Sequence, residues 1–152
     1  MPEEKVDYEK VLEKLEKELH KKEVEWNVIV DKLSKRINNE LKDSIDLSAE
    51  AISYRQMLLE DRTQTYYKIY RSMPKLKQLR KSKFEYYSTR YQIKINATEK
   101  VKLIESDLAY HEAKLEFLQN HINHLSESIK NVDHVIYSVK NKIELHNITG
   151  LD

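Results

Sequence analysis

From Val101 onward, apolar residues return in alternating steps of three and four, and the register never slips. One position of the repeat reads Val101, Leu108, Leu115, Ile122, Ile129, Ile136 and Ile143. Its companion reads Ile104, His111, Leu118, Leu125, Val132, Val139 and His146, so twelve of the fourteen positions are apolar. A strict seven-residue repeat of this length predicts an α-helix carrying a left-handed coiled-coil seam. Asn96 with Glu99 three residues later reads as a capping box at its start, and Gly150 as its stop. Roughly 50 residues at 1.5 Å each would extend about 75 Å. A stripe so long and narrow finds little else to bury against, and each apolar side chain left in water would forfeit roughly 1.5–3 kcal/mol. The twelve apolar positions are therefore expected to be oligomerisation residues. His111 and His146 fall on the seam as polar layers that fix register or partner number, with a pH-sensitive assembly as a lesser alternative.

The rest of the chain also reads as helix. Residues at about 8–41 place Leu12, Leu15, Leu19, Trp26, Ile29, Leu33, Ile37 and Leu41 on one face, with Glu and Lys alternating outside. A break is expected at 43–48, with Asp46 or Ser48 capping a helix over about 49–72. Pro74 is expected either to kink one helix or to sit in the first turn of a new one, and a new or bent helix from Pro74 to about residue 87 is favoured. Beyond it, Tyr87, Thr89, Tyr91, Ile93 and Ile95 alternate with polar residues, the period of an extended segment near 87–95, with an unbroken helix into the coiled coil as the alternative. The fold class is all-α: elongated helices with a C-terminal heptad-repeat coiled coil, oligomeric. Three regions follow: an acidic amphipathic helix at 1–45, a basic-aromatic helical region at 46–95 and the coiled coil at 96–150.

Composition removes several function classes. The 152 residues include one glycine, two prolines and no cysteine. Phosphate-cradling glycine loops, disulfides, thiol nucleophiles and cysteine zinc sites are excluded. His121 and His124 have a spacing that suits two ligands on one helix face, but no carboxylate completes a site within that turn, so no metal is expected. Glu105, Asp107, Glu112 and Glu116 lie on an open helix without a nucleophile or oxyanion donor, so neither an enzyme nor a cofactor is expected. No N-terminal apolar segment or membrane-spanning apolar run is present, which predicts a cytoplasmic location with no membrane contact. The sequons at Asn96 and Asn147 are read as chance matches.

The charge is concentrated. Between residues 68 and 94, nine basic side chains (Lys68, Arg71, Lys75, Lys77, Arg80, Lys81, Lys83, Arg90, Lys94) face one acid, Glu85. Residues 1–67 hold 12 basic and 16 acidic side chains, and residues 95–152 hold 6 and 9, so the whole chain nets only +1. A local +8 interleaved with Tyr70, Phe84, Tyr86, Tyr87 and Tyr91 suits a polyanion with stackable bases. The candidate nucleic-acid-binding residues are Lys75, Lys77, Arg80, Lys81, Lys83, Tyr86, Tyr87 and Arg90. No groove-reading module is visible, so single strands, or the backbone of any nucleic acid, fit better than sequence-specific duplex recognition. A solvated charged face, an acidic protein partner and an anionic membrane surface are the competing readings of the same lysines.

At Lys81-Ser82-Lys83-Phe84-Glu85-Tyr86-Tyr87-Ser88 the chain resembles the phage UvsY recombination mediator family: basic, spacer, basic, then an acid and a Tyr-Tyr pair. The resemblance extends back through the aromatic- and lysine-rich helix from about residue 54 and forward to Gly150, roughly 100 residues. It leaves the acidic N-terminal 45 residues unmatched. It implies a non-enzymatic protein that binds single-stranded DNA, forms homo-oligomeric rings, and binds a RecA-like recombinase and the single-strand-binding protein. Such a protein helps the recombinase replace the binding protein on DNA in recombination, repair and replication, in host cytoplasm if phage-encoded. The family's two DNA-contacting basic positions fall on Lys81 and Lys83. The second is often arginine, and lysine gives up bidentate phosphate contact. Thr89 stands where many members place glycine. The alternative is a coiled-coil structural or adaptor protein whose basic segment docks an acidic partner.

Overall fold

The computed structural model of the chain describes residues 7–150. These residues are all-α, with no strand among them. Helix α1 spans Tyr8–Lys35, α2 spans Leu41–Glu85 and α3 spans Ala97–Thr149, with one π-helical turn, Tyr86–Arg90, following α2. Each helix supplies a segment to each of two compact units: residues 7–18 with 66–120, and residues 19–65 with 121–150.

The unit of residues 19–65 and 121–150 holds the larger apolar core. Val30 and Leu33 of α1, Leu47, Ala51 and Leu58 of α2, and Leu125, Ile129, Val132, Val135 and Val139 of α3 form one buried cluster. Trp26 and Tyr54 meet edge to face at 6.2 Å beside it. The turn from α1 to α2 is held by charge. The Arg36 guanidinium donates to both oxygens of Asp43 at 2.8 and 3.2 Å and also to Glu50. Hydrogen bonds from Arg36, and then Asn39, hold the Asp43 carboxyl below its ordinary range. Lys142 of α3 donates to the carbonyls of Ile37 and Asn39, which sit just past the end of α1 where helix carbonyls need partners.

In the unit of residues 7–18 and 66–120, Ile69, Ile104, Leu108 and Leu118 are buried. Tyr8 and Tyr110 lie 4.3 Å apart between ring centroids, bringing the start of α1 to α3. The capping box at the head of α3 is formed reciprocally. The Glu99 amide donates to Asn96 Oδ1 at 2.8 Å, and the Asn96 amide donates to Glu99 Oε2 at 3.2 Å. At the far end of α3, Gly150 takes φ +68°, and its amide donates to the His146 carbonyl at 2.7 Å.

Four expectations from sequence are corrected. The break after α1 lies at residues 36–40, and α2 has already begun at Leu41, so Asp43 falls in its first turn, where a carboxylate suits the helix dipole. Pro74 neither starts nor ends a helix, because α2 runs through it for 45 residues. Its ring is on the exposed side, where water can hydrate the carbonyl that lacks an amide donor. Residues 86–90 are a wide helical turn rather than an extended segment, closed by the Tyr91 amide donating to Tyr86 O at 2.9 Å. Residues 91–96 form no regular element.

The fourth concerns the seam. Ile104, Leu108, Leu118, Ile122, Leu125, Ile129, Val132 and Val139 are buried within the single chain; Leu115, Ile136 and Ile143 are half-buried, and Val101 is exposed. The premise that nothing else in the chain covers the stripe fails, since segments of α1 and α2 bring their own apolar residues into the core with it.

Candidate nucleic-acid interface

Helix α2 presents two unlike faces along its basic half. Ile69, Ser72, Leu76, Leu79 and Lys83 recur in steps of three and four and are buried or half-buried. Tyr67, Tyr70, Pro74, Lys77, Lys81 and Phe84 recur with the same steps on the opposite side, and all are exposed. On one flank of this outward stripe lie Lys68, Arg71 and Lys75, also exposed. No acid interrupts the sequence between Asp61 and Glu85. The periodicity of an amphipathic helix thus sorts one run of basic and aromatic residues into an inward set and an outward set.

The eight candidate residues divide accordingly. Lys75, Lys77, Lys81 and Arg90 are exposed, and none has a carboxylate within 4.0 Å among the described residues. Arg80 is engaged by Glu112 of α3, and Lys83 lies 3.6 Å from Asp107. Tyr87 donates its phenol proton to Asp107 at 2.6 Å. That bond, with burial and the negative charge of Asp107, pushes the phenol up to about 12. Tyr86, Tyr87 and Tyr91 form an edge-to-face cluster with centroids 5.1 to 6.0 Å apart. The π-helical turn makes this cluster, since its five-residue step brings Tyr91 back onto Tyr86. Thr89 donates to the Glu85 carbonyl at 2.7 Å, filling the position where the resembled family favours glycine with a hydroxyl that back-bonds the helix.

Arg80, Lys83 and Tyr87 therefore serve contacts within the chain, while Lys75, Lys77 and Lys81 on the solvent side of α2 and Arg90 in the turn after it are open to a ligand. Sequence reasoning missed Asp107 and Glu112 as their partners because both acids sit on a different helix, far along the chain. It also missed Tyr66 and Tyr67, which precede the basic segment; the three-and-four spacing with Tyr70, Lys77 and Lys81 was the available signal. Lys100 of α3 sits 4.9 Å over the Phe84 ring and donates to Ser88 Oγ at 3.0 Å. This tethers the end of α2 to the start of α3.

Away from the basic segment, His121 is buried between two carboxylates that sequence reasoning did not place beside it. Its Nδ1 lies 3.2 Å from Glu23 and its Nε2 3.8 Å from Asp61. The facing His121 ring holds the Asp61 carboxyl below its ordinary range. His124 Nε2 pairs with Asn27 Oδ1 at 3.0 Å, and burial pushes the His124 imidazole down. Among the described residues, no cluster of three or more His, Asp or Glu is placed to hold a metal ion, and no helix is long and apolar enough to cross a membrane. No family model, curated protein or solved structure matches the chain.

Proposed function

We propose that this chain is a non-enzymatic protein that binds single-stranded nucleic acid along the outward face of α2. The observation carrying this reading is one helical surface with Lys68, Arg71, Lys75, Lys77 and Lys81 exposed and free of ion pairs among the described residues. Cations kept apart from carboxylates raise the local concentration of a polyanion, and each phosphate they neutralise releases counterions. The finer reading follows the UvsY resemblance at Lys81–Ser88: a recombination mediator that helps a RecA-like recombinase replace the single-strand-binding protein, working as a homo-oligomer. Repetition of a weak face in an oligomer would raise affinity through multivalency.

The test is an anisotropy titration of a labelled oligonucleotide at several salt concentrations. Log affinity is expected to fall with log salt at about −0.7 per neutralised phosphate, and Lys77→Ala with Lys81→Ala to flatten that slope by about 1.4. No binding at low salt would refute the reading. The mediator step is tested by whether the protein speeds displacement of the single-strand-binding protein by recombinase. A second reading, an adaptor docking an acidic protein, is favoured by exposed Met73 and Phe84 beside the lysines, apolar surface that a protein partner would cover. Absence of oligonucleotide binding at both low and physiological salt favours it.

A further inference from the structure

We infer that Tyr67 and Tyr70 form a base-stacking platform, so that the outward face of α2 selects unpaired bases rather than phosphate charge alone. The inference rests on the proposed nucleic-acid reading and deepens it. Tyr67 is 60% exposed and Tyr70 64% exposed, far more open than a tyrosine that serves a core. Tyr66 and Tyr70 already lie nearly parallel, at 21° with centroids 6.2 Å apart, so flat ring faces are presented to one another on this part of the helix. Lys77 and Lys81 continue the same stripe, and Lys68, Arg71 and Lys75 flank it. From Tyr67 to Lys81 the stripe runs about 21 Å at 1.5 Å per residue. An extended strand laid on it meets rings first and cations next, the combination that binds single strands without sequence preference.

The tyrosines expected from sequence to do this, Tyr86 and Tyr87, are poorly placed. Their edges pack on each other and on Tyr91, and the Tyr87 hydroxyl is held by the Asp107 carboxylate, whose charge repels a phosphate. The Tyr67–Tyr70 segment has no acid within five residues on either side. A negatively charged ligand with flat apolar faces fits this surface by charge and by shape. An acidic protein segment or a second copy of the chain would not depend on bases.

The experiment uses the full chain and three labelled probes of equal phosphate number: single-stranded oligo-dT, the same strand with abasic sugars, and a duplex. Tyr67→Ala with Tyr70→Ala is expected to weaken oligo-dT binding roughly 30-fold or more, since stacking contributes about 1–3 kcal/mol per base. Its affinity for the abasic strand should change less than about twofold, and Tyr67→Phe with Tyr70→Phe should restore oligo-dT binding because the ring is kept. Lys77→Ala with Lys81→Ala should weaken all three probes. Oligo-dT binding by the double alanine variant equal to that of the unchanged protein would overturn the platform. So would a phenylalanine pair as weak as the alanine pair, or an abasic strand bound as tightly as oligo-dT. In those cases a loss with the lysine variant leaves the proposed function standing. If the unchanged protein binds none of the three probes at low salt, the proposed function falls and the platform with it.

Discussion

Replacing Leu125 by alanine tests whether the α3 stripe is covered by the chain's own helices. Leu125 is fully buried, in a cluster drawn from all three helices. Removing its side chain beyond Cβ deletes apolar contacts and leaves a cavity that long helices close only in part, which costs about 2–5 kcal/mol. With a urea dependence of about 2 kcal/mol per molar, the midpoint should fall by roughly 1–2.5 M. The control is Leu145→Ala on the same helix, where a leucine 61% exposed should cost about 0.5 kcal/mol or less. The assay is urea unfolding followed by helical ellipticity, run at two protein concentrations about a hundredfold apart. If the chain covers its own stripe, the gap between Leu125→Ala and the unchanged protein is the same at both concentrations. If a second chain covered Leu125, dilution would dissociate the pair and leave Leu125 uncovered in the folded chain, so the gap would shrink. A concentration-dependent gap, or equal effects at Leu125 and Leu145, would refute the intrachain core.

Three further outcomes follow from the geometry. Asp107→Asn removes the carboxylate beside Lys83 and Tyr87; spectrophotometric titration should show Tyr87 losing its proton closer to pH 10 than 12, and oligonucleotide binding should tighten a few-fold at low salt. Pro74→Ala should raise stability by about 1–3 kcal/mol by restoring a helix hydrogen bond, and a lower melting temperature would contradict the continuous α2. Folding depresses both His124 and Asp61, so the folded form binds fewer protons than the unfolded one; the associated stability is complete above pH 6.5, declines as pH falls through the lowered His124 value, and declines again below pH 3.8. The urea midpoint should fall between pH 7.5 and 5.5, by less in His124→Gln, and an equal fall in both proteins would remove His124 as the cause.

Local chemistry was legible in the sequence wherever one turn of chain decided the outcome. Asn96 and Glu99 are three residues apart and cap α3 as their spacing demands, and Gly150 ends it with the positive φ that glycine tolerates. The seven-residue repeat announced a helix with a buried stripe but did not say what buries it, since α1, α2 and a second chain are equally apolar partners on paper. Pro74 misled because its ring faces water, a fact of orientation and not of residue type. At the candidate site, clustering of charge was readable and its use was not. Arg80 and Lys83 look like Lys77 and Lys81 until α3 brings Glu112 and Asp107 against the first pair alone.

A seven-residue repeat resembles a ruler with identical marks: α3 could slide by one heptad and still present an apolar stripe. The polar pairs of the larger core break that degeneracy. Slid one way, Ser128 would take the place of His121 between Glu23 and Asp61, too short to reach both, and Lys140 would meet Arg55 where Asp133 now accepts its hydrogen bond at 2.6 Å. Slid the other way, Ser126 would replace Asp133 opposite Arg55, and His121 would lose both carboxylates. Either slip leaves the partly buried Glu23 and Asp61 carboxylates without His121, a cost that an unchanged apolar stripe does nothing to offset. The few charged contacts of this core thus act as the numerals on the ruler, choosing one alignment among several that the hydrophobic pattern alone would accept.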